Sequence, residues 1–398
     1  MRDLGDFRPE DVERARRYHR PLHRAAALGL ALGLAVPVAL AFTPLGAWLF
    51  RPVAGLPWPA GAAGYAALVA LASDLVGLPL AFWRGHLHER AWGFSTQTVR
   101  GWAADRAKGA AIGLLLVAAA WTGLVALARA LPSAWPLVAA PAAASLAVLA
   151  SFVAPVVLEP VFNRFAPLAD QALAADLRAL ADRAGVPVRE VLVADATRRT
   201  RKSNAYVSGL GATRRVVLFD TLLGQAEPRE IRVVVAHELA HRRDRHIARS
   251  TALAAVGAAA LVVVLWAAVR WPALAAATGA GGAGDPRSLP LALVVASALE
   301  LASAPLGAAL SRRWETAADR AGLELTGDLE GFVAAFRRLA TANLIDLEPP
   351  RWLRALFLTH PTPPERIANA RRWAAAAGAA GPAGGAGISP APGPPTRA

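Results

Sequence analysis

Three residues in the stretch VVVAHELAHRRDRH, residues 233–246, have types and spacing that can do chemistry together: His237, Glu238 and His241. On an α-helix, residues four apart share a face, so the two imidazoles can bind one metal ion. Glu238 points beside that face, where its carboxylate can take a proton from metal-bound water. Zinc lowers the pKa of such a water to about 7, which makes hydroxide available at neutral pH. The helix is expected on local grounds. Pro228 suits a first turn, Glu227 and Glu230 suit the positive N-terminal end, and Arg242, Arg243 and Arg245 crowd the C-terminal end.

A motif this short also arises by chance on a polar helix, so a third ligand decides. The metzincin continuation needs Gly at 244 and His at 247; the chain has Asp244 and Ile247. His246 is one place off that spacing and reads as a solvated histidine at the helix end. A downstream glutamate is the other standard solution. Glu315, in SRRWETAADR, is the candidate, and Asp319 one turn later can accept the free ring N–H of a ligand histidine. An ordinary charged helix face would carry the same two acids.

The 398 residues are 55% hydrophobic and 18% charged, with a mean hydropathy of +0.37, values that suit a polytopic membrane protein. The absence of cysteine excludes disulfides, thiol nucleophiles and thiolate metal sites, leaving His and carboxylate as the strong ligands. The net charge of +14 sits in loops between apolar runs rather than in an aromatic-interleaved patch, so nucleic acid is not an expected partner.

Six apolar runs, at about 25–50, 61–82, 109–128, 134–157, 251–269 and 289–310, are long enough to cross a bilayer of about 30 Å. A cleavable signal peptide is the competing reading of the first, but the run continues past the candidate site Ala39-Leu40-Ala41. Asp74 and Glu300 lie within spans, where a charge is costly, and are expected to face protein or water. The polar block 158–248 reads as a helix at 167–184, short strands at 191–194 and 215–219, an edge strand at 203–207 and the HExxH helix. The basic residues of the N-terminus, the 83–108 loop and the segment from Arg312 place both termini and the zinc helix in the cytoplasm. The expected organisation is a four-span membrane domain at 1–157 and a zinc metallopeptidase domain at 158–377, which includes spans five and six. A disordered Pro/Gly/Ala-rich tail at 378–398 completes it.

With these pieces in place, the sequence resembles the integral-membrane CAAX prenyl endopeptidase type I family of zinc metallopeptidases. The resemblance rests on HELAH together with ERAWGFSTQTVRGWAADRAKG, EPVFNRFAPL, SNAYVSGLGATRRVVLFDTLL, SRRWETAADRAGL and THPTPPERI, in the family's order over about residues 75–370. It implies that His237, His241 and Glu315 bind one Zn2+ ion, that Glu238 is the general base and that Asp319 supports the site. It also implies that Asn204 lies on a strand beside the substrate and that His360 and Arg366 lie near the zinc. The blander readings are a turn cap for His360 before its proline, a solvent-facing helix-end arginine for Arg366 and an edge-strand turn former for Asn204. An extended substrate can add as a strand beside 204–207, with His360 or Asn204 hydrogen-bonding the developing oxyanion and Arg366 holding an acidic group. The resemblance implies seven spans around a water-filled chamber, one more than the apolar runs provide.

The combined reading is a mainly α, polytopic membrane protein with a small α+β gluzincin-like domain on the cytoplasmic side. It would be a zinc endopeptidase acting near the C-terminus of lipidated, CAAX-type or other membrane-associated peptides. The tail carries no organelle retrieval signal, which suits a bacterial-type inner membrane. Two other readings compete: quality-control proteolysis of unlipidated membrane proteins, and a transporter or receptor with a structural zinc site, which leaves Glu238 without a task.

Overall fold

Apolar runs of this length have one way to satisfy their backbone in lipid, which is to form helices. The structure, a computed structural model, describes residues 4–209 and 211–379; residues 380–398 of the expected tail lie outside them. Among the described residues six helices are long and apolar enough to cross a membrane. They are built on α1 (Pro9–Phe42), α2 (Trp58–Phe82), α3 (Val99–Ala130), α4 (Trp135–Val153), α7 (His246–Arg270) and α8 (Leu289–Thr326). Leu115, Leu137, Val256 and Leu306 stand exposed on these helices, as lipid-facing side chains do.

The first span differs from its expected bounds. It begins at Pro9 and stops at Phe42, because Thr43 is extended and caps a separate short helix, Pro44–Phe50. The sixth differs more consequentially. The apolar run ends near residue 310, but α8 continues unbroken to Thr326, where Gly327 adopts φ +64° and stops it. At 38 residues it is about 57 Å long. One rigid element therefore reaches from the membrane to Glu315 and Asp319.

The soluble part is a four-stranded sheet, order β1-β2-β4-β3, covered by helices. The strands are β1 (Phe165–Pro167), β2 (Glu190–Ala194), β3 (Ala205–Ser208) and β4 (Arg215–Phe219). β2 and β4 are parallel; β1 and β3 pair antiparallel at the two edges. The sequence does not announce β1, and the expected helix at 167 begins instead as α5 (Gln171–Arg183), with Asp170 accepting from the Leu173 N–H at 3.0 Å. Against the sheet pack α5 and α6 (Pro228–Arg243); α9 (Leu329–Ala342) packs on α6, and α10 (Pro363–Ala379) on α9 and α8. They share a core that includes Leu177, Leu218, Ile231, Leu239, Phe332 and Ile367.

The crossing of α6 and α8 positions the site. Ala240, Ala318 and Ala321 are buried together there, and a Cβ added at Gly322 would lie 3.1 Å from the His237 nitrogen and 3.3 Å from its Cα. Small residues let the two backbones approach this closely. Enlarging Gly322 should force them apart: Gly322→Val is expected to destabilise the protein by about 1–3 kcal/mol. The check is the apparent melting temperature in detergent, and a variant that melts with the wild type would contradict the packing described.

Candidate active site

α6 begins with a reciprocal cap. The Glu227 side chain accepts from the Glu230 N–H, and Glu230 Oε2 accepts from the Glu227 N–H at 2.8 Å. Glu230 is buried and is held by Arg338 Nε of α9 at 2.6 Å. This fixed start carries His237, Glu238 and His241 into the space facing α8. His237 Nε2 and His241 Nε2 lie 3.1 Å apart. Glu315 places Oε2 3.2 Å from His237 Nε2 and Oε1 3.3 Å from His241 Nε2.

These three side chains fit a metal ion. Ligand atoms on a tetrahedral ion with bonds of about 2.0–2.1 Å stand about 3.3 Å apart. Glu315 Oε2 is buried and accepts no hydrogen bond, the condition of an oxygen that needs a cation. The surroundings also favour positive charge. Burial and Arg366 both disfavour a charged His237, yet Asp319 and Glu315 outweigh them and raise its pKa to about 9.

Each imidazole is oriented from behind. His237 Nδ1 lies 3.0 Å from Asp319 Oδ1, and Asp319, wholly buried, takes a two-pronged bond from Arg366, with Nε at 2.8 Å and Nη2 on the other oxygen. The Arg366 guanidinium stacks 3.8 Å over the Phe336 ring, so this arginine is buried between an acid and an aromatic face rather than turned to solvent. His241 is oriented by a residue the sequence reading misplaced. His246 is not solvated: it is buried, with Nδ1 3.0 Å from His241 Nδ1 and its ring stacked on Trp314 at 5.4 Å. Arg245, at φ +55°, makes the tight turn that folds His246 back toward α6.

Glu238 is half-buried beside these candidate ligands, and burial pushes its pKa up while His237 and His241 oppose that rise. His360, on the segment before α10, is exposed and reaches Glu315 Oε1 at 3.3 Å, with Thr359 Oγ1 2.9 Å from its Nδ1. Asn204 is exposed just ahead of β3; its carbonyl accepts from the Phe219 N–H at 3.0 Å, and its side chain accepts from the Ala205 N–H at 2.9 Å. Strand alternation then turns the hydrogen-bonding groups of Ala205 and Val207 outward. The Val207 carbonyl is taken by Arg242 of α6. All the candidate residues thus gather at one place, with Asn204, His237, Glu238, His360 and Arg366 lining a cleft of about 320 Å³.

Gly322 left a faint signal in the sequence. Glu315, Asp319 and Gly322 share one helical face, so Gly322 could have been read as a point of close approach. Asn343 had no signal: its side-chain amide pairs with both the N–H and the carbonyl of Ser203, at 2.8 and 2.9 Å, from a distant loop. Because Asn343 holds Ser203, the edge strand starts at Ala205 rather than at residue 203.

Above the cleft lies a cavity of about 1020 Å³ among the spans, and Asn343, Ile345, Asp346 and Leu358 line both spaces. Asp74 lines this cavity and pairs with Arg106, as an acid at membrane depth must be paired or wet. Glu300 is exposed on α8 and has no ion-pair partner among the described residues, so it is not a paired structural acid.

Residues 4–164 match the family model of the CAAX prenyl protease N-terminal region, described as five membrane helices, and residues 167–374 match that of peptidase family M48. Within the first of these regions the described residues hold four helices of spanning length. The chain is 31% identical, over 78% of its length and 73% of the relative's, to the uncharacterized metalloprotease YhfN of Bacillus subtilis. It is 33% identical to CAAX prenyl protease 1 of Saccharomyces cerevisiae over 45% of this chain and 40% of that one. Its fold matches the crystal structure of S. mikatae Ste24p with a TM-score of 0.82 and 24% identity, covering 93% of this chain and 91% of that one. The chain belongs to peptidase family M48 and is a membrane metalloprotease of the CAAX prenyl protease type.

Proposed function

We propose that the protein is a zinc endopeptidase that cuts near the C-terminus of lipidated, membrane-associated peptides, with the catalytic side in the cytoplasm. The observation that carries this reading is a His-His-Glu ligand set lying between a free sheet edge and a cavity that opens among the membrane helices. His237, His241 and Glu315 would hold Zn2+, which when bound polarises a carbonyl and acidifies water.

The chain's own residues do the rest. The Ala205 carbonyl and Val207 N–H offer an extended peptide a pair of strand-like hydrogen bonds, which sets its register beside the ligands. Glu238 takes the proton of the attacking water and delivers it to the leaving amine, a task its raised pKa suits. His360 and Asn204 reach into the cleft as donors for the oxyanion that develops at the cut carbonyl. Asp319 and Arg366 position His237. The cavity carries both apolar walls (Leu22, Leu80, Ala81, Leu353) and charged groups (Asp74, Arg84), so it can take a prenyl chain and stay hydrated.

A farnesylated CAAX peptide, its unprenylated copy and mass spectrometry test this. The purified protein should release a C-terminal tripeptide from the prenylated peptide only, and Glu238→Gln or a chelator should abolish release. Equal cutting of both peptides would replace this reading with clearance of unlipidated chains. In a metal titration, Asp319→Ala, Arg366→Ala and His246→Ala should each weaken zinc binding about 10–100-fold, while Glu238→Gln keeps full stoichiometry. Wild-type affinity in all three would contradict the orienting roles. The chain has no native cysteine, so single cysteines report topology. In bacterial spheroplasts an impermeant maleimide should label Ser133→Cys and spare Ala169→Cys; the reverse pattern would put the site outside.

A further inference from the structure

A second cluster of metal-ligating side chains lies at the other end of the cleft wall. His19 and His23 stand one turn apart on α1, just before the apolar run that starts at residue 25, with their rings stacked at 5.8 Å. Asp346 faces them from the loop after α9, with Oδ2 2.7 Å from His23 Nε2. One ligand atom from each of the three lies within 4.8 Å of the others, and all three residues are half-buried. His19 Nε2 also lies 2.6 Å from the Leu344 carbonyl oxygen, a contact that fixes the ring's orientation.

We propose that His19, His23 and Asp346 form a second site for a divalent transition ion, one that ties the first membrane helix to the wall of the catalytic cleft. The donor set is two imidazoles and a carboxylate, which suits Zn2+ and Co2+ and disfavours Mg2+ and Ca2+. Histidines at i and i+4 present their nitrogens to one point, as they do on α6. No arginine or lysine neutralises Asp346 among the described residues; the neighbouring acid, Glu348, is the one that Arg16 takes. The ligand atoms already lie within 4.8 Å of one another, and side-chain rotation can bring them to the roughly 3.3 Å spacing that a tetrahedral ion needs.

The placement gives the ion a consequence. Asp346 lines both the cleft and the larger cavity, and so do Asn343 and Ile345. In this loop Leu344 adopts φ +49°, unusual for a branched residue, and Asn343 clamps Ser203 at the head of the edge strand. An ion on His19, His23 and Asp346 would therefore fasten α1 to the segment that holds the substrate strand in place. This site is independent of which peptide the enzyme cuts.

Titration of the metal-free full-length protein with Co2+, followed by its visible absorption, tests the proposal. The wild type should bind two equivalents; His23→Gln and Asp346→Asn should bind one, retaining the spectrum of the His237–His241–Glu315 site. The second equivalent should raise the wild-type melting temperature and leave that of both variants unmoved. A wild type that binds one equivalent, or variants that still bind two, would overturn the proposal. If both variants lose all binding through misfolding, His19→Gln decides: one equivalent supports the site and two overturn it.

Discussion

The site depends on how closely two helices can cross. His237 and His241 come from α6 of the sheet domain, and Glu315 comes from α8, whose other half lies among the spans. A third ligand on a separate element is useful only if it is held to within tenths of an ångström. Gly322 and the buried alanines Ala240, Ala318 and Ala321 let the backbones meet closely enough for that. The continuity of α8 then makes the membrane helix itself part of the metal cradle, so the soluble domain has a fixed position relative to the cavity above it.

Burying so many charged groups at one point is costly, and the arrangement limits the cost by pairing Asp319 with Arg366. Asp319 would be an isolated buried carboxylate without Arg366, and Arg366 an isolated buried cation without Asp319 and the Phe336 face. The pair turns two liabilities into a rigid support for His237. His241 has a neutral counterpart, the stack of His246 on Trp314. The two histidines are thus held by different chemistry, ionic behind one and aromatic behind the other. Glu238, the general base in our proposal, has no ion-pair partner among the described residues and keeps a raised pKa.

Much of this was legible in the sequence, for reasons that differ by residue. HExxH on a helix is a local pattern, and its start and end signals are also local, so α6 could be placed within a residue or two. The spans were legible because lipid imposes length and hydropathy, though their ends were not: α8 runs on into polar sequence for 16 residues past the apolar run's expected end. Edge strand β3 was read correctly as an edge but two residues early, because Asn343, remote in sequence, occupies the backbone of Ser203. His246 failed for a similar reason. Its burial depends on the left-handed turn at Arg245 and on Trp314, and neither is visible from the spacing of HRRDRH. The resemblance to a family with seven spans pointed to one helix more than the described residues contain.

The most direct test of the central claim, an open metal site shared between a soluble helix and a membrane helix, is an anomalous difference map at the zinc edge from crystals of the zinc-loaded protein. The account predicts a peak about 2.0–2.2 Å from one atom each of His237, His241 and Glu315, with the remaining position facing the cleft beside Glu238. A peak whose fourth position is filled by another side chain of the chain, or no peak between α6 and α8, would contradict it.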